Sequence, residues 1–107
     1  MRTIAFGLAA LLATPTLAET ITIDDIQRGT IVTVSGTVER LLDEDEFRLT
    51  DATGSIRVYV GPNWVPADVG EEITVHGFVD DDLIKEIYAR EITRADGTVV
   101  ALSHRYY

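Results

Sequence analysis

The chain has 107 residues, 18 acidic against 9 basic side chains, a formal net charge of −9 and no cysteine. That is too short for two ordinary domains, and at 46% hydrophobic residues too apolar for a disordered acidic tail. No apolar run reaches the ~20 residues that a membrane-spanning helix needs, and stability has to come from packing and backbone pairing without disulfides.

Met1-Arg2-Thr3 carries one positive charge, residues 4–13 are small and apolar, and Pro15 breaks the run. Thr16-Leu17-Ala18 then places small residues at the third and first positions before a cut. This is the three-part layout of a secretory signal peptide. We therefore read 1–18 as a signal peptide and 19–107 as a single domain with a short C-terminal tail. A short buried helix fits worse, because a packed helix is apolar on one side rather than all round. Cleavage removes Arg2 and leaves 89 residues with a net charge of about −10. With no cysteine to carry a lipid, the expected product is exported and not lipid-anchored, in a bacterial periplasm or outside the cell.

Thr22 precedes Asp24, Asp25 and Ile26, a pattern that predicts one helical turn capped by Thr22 and ended by Gly29. From there the pattern turns to period two. Strand one covers about residues 30–42, with Val32, Val34 and Val38 inward and Gly36 marking a bend or bulge. The acidic turn 43–46 leads to strand two at about 47–51, with Phe47 and Leu49 inward. Ala52-Thr53-Gly54 forms a short turn in which Gly54 is expected to supply a positive φ. Strand three, about 55–60, turns Ile56, Val58 and Val60 inward and Arg57 and Tyr59 outward. Residues 61–70 hold Pro62, Asn63, Trp64 and Pro66 and read as a structured loop or one helical turn. Strand four, about 72–79, carries a second internal glycine, Gly77. After the acids 80–82, strand five covers about 84–93, and its inward set Ile87, Ala89, Ile92 makes a two-then-three step that implies a bulge. A tight turn at 95–97 precedes a short added strand within 98–102 and a tail at 103–107.

Five strands with internal glycines suit a small closed barrel, because a flat sheet of this size would leave one face uncovered. A three-strand meander, a longer connection and two further strands is the chain order of an all-β, five-stranded Greek-key OB barrel. Here it has a short N-terminal helical turn and a degenerate connection between strands three and four.

The segments that carry this order are Gly36-Thr37-Val38, Asp51-Ala52-Thr53-Gly54-Ser55-Ile56-Arg57-Val58, Ile73-Thr74-Val75-His76-Gly77-Phe78-Val79-Asp80 and the Ile87, Ala89, Ile92 step. In them the chain resembles the bacterial periplasmic OB-fold (BOF) family of small exported proteins, over nearly all of the mature length. The resemblance implies a periplasmic barrel linked to stress tolerance, binding small or charged ligands or envelope components, with no catalytic motif to carry over. The connection before strand four is shorter, and the 98–107 segment longer, than the family's usual pattern.

OB barrels often bind nucleic acid, which requires a positive groove and aromatic platforms. Arg48, Arg57, Tyr59 and Trp64 make a miniature platform, but the charge and the compartment oppose a polyanion, so no nucleic acid is expected. The same four residues are the candidate ligand-binding site for a small or charged envelope ligand: Arg48 and Arg57 as anion contacts, Tyr59 and Trp64 as stacking contacts. Ordinary solvated surface is the competing reading, and a lone tryptophan in a small domain favours a plug at one barrel end. The acid runs lack the alternating spacing and glycine of a calcium loop, so no metal and no cofactor is expected. His76 and His104 have no nucleophile beside them in sequence, and no enzyme is expected. The alternative function is a protein–protein adaptor docking on an envelope protein through a strand edge or Tyr106-Tyr107.

Overall fold

The computed structural model describes residues 19–81 and 85–102. The expected signal peptide, Asp82, and the tail with His104, Tyr106 and Tyr107 lie outside the described residues. A 3-10 turn at Ile23–Asp25 precedes β1 (Ile31–Asp43), β2 (Glu46–Asp51), β3 (Gly54–Tyr59), β4 (Glu72–Val79), β5 (Glu86–Thr93) and β6 (Val99–Ala101). The period-two pattern becomes burial directly. Val32, Val34 and Val38 of β1, Phe47 and Leu49 of β2, Ile56 and Val58 of β3, Ile73, Val75 and Val79 of β4, and Ile87, Ala89 and Ile92 of β5 all enter one core. Val60, Ile23 and Ile26 complete it.

Strand β1 is long enough to serve two partners. Its first half pairs antiparallel with β4 (Val34 opposite Val75) and its second half with β2 (Val38 opposite Leu49). The β2–β3 hairpin and the antiparallel β4–β5 pair extend the sheet at either end. The cylinder closes where β3 meets β5 in parallel: Arg57 opposite Glu86, Val58 opposite Ile87, Tyr59 opposite Tyr88. This is the closed five-stranded all-β barrel that the strand pattern predicts, with β6 added on the far end of β5.

The two internal glycines have a common cause. A Cβ on Gly36 would lie 2.5 Å from the Thr50 carbonyl oxygen of β2, and one on Gly77 would run into the Tyr88 carbonyl oxygen of β5. Beside Gly77 the register shifts: His76 faces Glu91 and Gly77 faces Ala89, so Arg90 is the extra residue. This is the bulge implied by the two-then-three spacing of Ile87, Ala89 and Ile92.

Three local expectations change. Gly54 does not adopt positive φ; among the described residues only Gly29, Gly61, Gly70 and Gly97 do. The Asp51 carboxylate makes the turn instead, its Oδ1 accepting from Thr53 N (2.7 Å), Thr53 Oγ1 (2.6 Å) and Gly54 N (3.1 Å). Thr22 occupies the N-cap position, but its hydroxyl donates to Asp24 Oδ1 (2.7 Å) and caps no backbone N–H. Residues 61–70 take the first of their two expected forms, a structured loop, tied down by Val60 N to Asp45 O and Gly70 N to Val38 O, with Val65 and Ala67 against the core. Trp64 is no plug: it is 75% exposed, because the smaller Val65 and Ala67 already cover that end.

Candidate anion-binding groove on the β2–β3 face

The 3-10 turn is docked on the β2–β3 hairpin by two backbone donors. Ile23 N gives to Asp51 Oδ2 (2.9 Å) and Asp24 N to Thr53 Oγ1 (3.1 Å). Burial raises the Asp51 pKa, but hydrogen bonds from Thr53, Ile23 and Gly54 outweigh it and hold the carboxyl below its usual range. One acid thus shapes the turn and anchors the segment before β1.

Between that segment, the outer face of the hairpin and the start of β5 lies a groove of about 380 Å³. Its walls are Ile23, Asp24, Arg48, Lys85 and the run from Thr53 to Arg57. Arg48 and Arg57 stand directly opposite each other in the β2–β3 register. Like charges in that position destabilise an antiparallel pair, and among the described residues neither guanidinium is in an ion pair. Arg48 Nη1 donates to Ser55 Oγ (3.2 Å), and Lys85 Nζ donates to the Ile26 carbonyl (2.8 Å), which fixes a third cation on the rim. Asp24 adds one carboxylate to the same wall. The arrangement offers two forked donors, an ammonium, the Ser55 hydroxyl and a single acceptor acid: a chemistry for an oxyanion that also carries hydroxyls.

The next row around the barrel is Glu46, Tyr59 and Tyr88. The tyrosine rings meet edge to face, with centroids 5.7 Å apart at 68°, and Tyr88 Oη donates to Asp80 Oδ2 (2.9 Å). Glu86, opposite Arg57, has its pKa raised to about 7. Burial is the main cause, followed by the hydrogen bond and charge of Glu46; Arg57 pulls the other way and Asp80 adds to the rise. Its Oε2 is buried, and no donor among the described residues reaches it.

At the opposite side, Arg94 clamps Glu71 through Nη2 to Oε1 (2.7 Å) and Nε to Oε2 (3.0 Å). Ala95 N and Asp68 N donate to the same carboxylate. The arginine, then those backbone donors, push the Glu71 pKa down to about 2. A shallower depression of about 280 Å³ runs beside this latch along Ser35, Glu72, Thr74, Thr93 and Arg94. Its cation is already neutralised. His76 Nδ1 is hydrogen-bonded to Thr33 Oγ1 (2.8 Å) on the barrel surface. Among the described residues no three His, Cys, Asp or Glu side chains are grouped to hold a metal ion, and no helix is long and apolar enough to cross a membrane.

Of the four predicted site residues, the structure brings Arg48 and Arg57 together. Tyr59 lies one row away and stacks on Tyr88, and Trp64 is not on the groove wall. Sequence reasoning missed Lys85, Asp24 and Glu86. Lys85 and Glu86 stand at the start of β5, and only the parallel β3–β5 closure carries them to the hairpin.

The description "Bacterial OB fold (BOF) protein" belongs to a family model that matches residues 11–94. No curated protein sequence matches the chain. Among solved structures, the hypothetical protein ygiW from E. coli is similar at 24% identity and a TM-score of 0.59, covering 74% of this chain and 90% of that one. The telomere capping protein Ten1 from Saccharomyces pombe is similar at 20% identity and TM-score 0.52, covering 79% and 81%. A chain of the S. pombe Stn1-ten1 complex gives 24% and 0.55, covering 81% and 84%. At these identities the structural likeness concerns the fold.

Proposed function

Because the chain belongs to the bacterial OB fold family, we propose that it is a binding module rather than an enzyme, exported to the periplasm and taking a small oxyanion-bearing envelope ligand in the β2–β3 groove. The observation that carries this reading is the Arg48–Arg57 pair, in no ion pair among the described residues and facing each other across the hairpin with Lys85 on the rim. A groove of this volume suits a ligand the size of one or two sugar rings. A net charge of −9 weighs against a long polyanion such as nucleic acid and leaves a local positive site for a small one. The small-and-apolar run of residues 4–13 supports export, and a stress-related role is what the resemblance noted in the sequence implies.

Two-dimensional NMR titration with phosphorylated sugars and peptidoglycan fragments tests this reading. Amide shifts are expected at Arg48, residues 53–57 and Lys85, and Arg57→Gln is expected to weaken binding about tenfold or more while the spectrum stays folded. Shifts confined to another face, or an Arg57→Gln variant that binds as tightly, would sink it. A second reading, a protein–protein adaptor, is favoured by the exposure of Trp64 on the 61–70 loop. Capture of an envelope protein that Trp64→Ala abolishes and Arg57→Gln leaves intact would select it.

A further inference from the structure

Glu86 and Glu46 are placed to do something the groove alone does not explain. Across the β2–β3–β5 seam, Arg48, Arg57 and Glu86 lie in one row and Glu46, Tyr59 and Tyr88 in the next. Arg57 therefore has a like charge on one side and a carboxyl on the other. That carboxyl has a buried oxygen that no donor among the described residues reaches, and a second carboxyl, Glu46 in the neighbouring row, adds to the rise of its pKa. Burial first, and then the neighbouring acid, disfavour a charge on Glu86 and favour its protonated form. The other groups facing the pair are Arg57 and Tyr59 from β3, Tyr88 from β5, and Asp80 at the end of β4, which holds the Tyr88 hydroxyl. Lys85 is adjacent in sequence but directs its ammonium to the Ile26 carbonyl. Asp80 adds to the repulsion, and Arg57 is the cation opposed to Glu86.

From this geometry we infer that Glu86 is a proton-operated positioning residue for the groove: protonated, it leaves Arg57 to the ligand; ionised, it neutralises Arg57 and weakens anion binding. The inference rests on the groove being the anion site. The Glu86 proton is held up to about pH 7, so the change falls near neutrality, and the groove binds its anion more tightly on the acid side. Glu86 touches no ligand; it acts through Arg57.

Sulfate is a suitable probe, because its charge is constant between pH 5.5 and 8.5. With the purified protein, NMR-detected sulfate affinity is expected to fall about tenfold across that range, the scale of one added charge several ångströms away. By reciprocity, saturating sulfate raises the pH at which the Glu86 carboxyl carbon titrates by about one unit. In Glu86→Gln the affinity stays at its acid-side value throughout. In Glu46→Gln the transition persists but moves to lower pH, a shift that a merely structural role for the pair would not produce. A flat wild-type profile, with sulfate still mapping to Arg48 and Arg57, overturns the Glu86 inference and leaves the groove reading standing. An unmoved Glu86 titration under saturating sulfate does the same. Sulfate that produces no shifts in the groove at any pH overturns both.

Discussion

Glu71 and Glu86 are the same residue type set to opposite purposes. Glu71 receives an arginine and two backbone N–H groups, and its ionised form is favoured; Glu86 is buried, next to another acid, and its neutral form is favoured. The folded-state pKa of Glu71, about 2, lies below the ordinary value of 4.5. Its contribution to stability is therefore complete above pH 4.5 and disappears as the pH falls through about 2. Glu71→Gln is expected to lower the thermal midpoint at pH 7 and to differ progressively less from the wild type on acidification, as followed by circular dichroism. A constant offset at every pH would show that packing rather than charge accounts for the latch. None of this was legible in the sequence, where Glu71-Glu72 reads as one more acidic pair; the Arg94 partner arrives only through the pairing of β4 with β5.

At the level of elements, the strands were legible and the turns were not. Alternation of Val, Ile, Leu and Phe with polar residues located all five barrel strands, because inside-versus-outside placement follows from period two alone. Turn chemistry depends on which side chain reaches which backbone N–H, so Gly54 was credited with what Asp51 does. Trp64 misled for a similar reason: its size argued for burial, but nothing in the sequence shows that Val65 and Ala67 already occupy the space. The site was half legible. Arg48 and Arg57 follow from hairpin register, whereas Lys85 and Glu86 need a parallel closure that local pattern does not encode. Gly36 belongs to this scale, since it lets β1 cross close to β2. Gly36→Ala is expected to cost roughly 1–3 kcal/mol in a urea melt, because the clash is with the Thr50 backbone rather than with a side chain that can rotate away. A variant as stable as the wild type would mean that the two strands separate freely at this point.

Considered as a whole, the described residues share one core, continuous from β1 to β5, and the chain has no cysteine to crosslink it. Phe47 is the largest of its fully buried side chains. Phe47→Ala is expected to remove about 3–5 kcal/mol, a large share of the ~5–15 kcal/mol typical of a small domain. The loss should appear as one cooperative shift of the urea midpoint rather than as local fraying. A two-step melt would instead divide the barrel into independently stable halves.

The exposure of the single tryptophan has a spectroscopic corollary. An indole already surrounded by water emits at long wavelength in the native state, so unfolding leaves its colour nearly unchanged and fluorescence is a poor witness of denaturation. For the same reason Trp64 is open to collisional quenchers and to any macromolecule that settles on the 61–70 loop. A blue shift would then report contact at that loop, with no label attached to the chain.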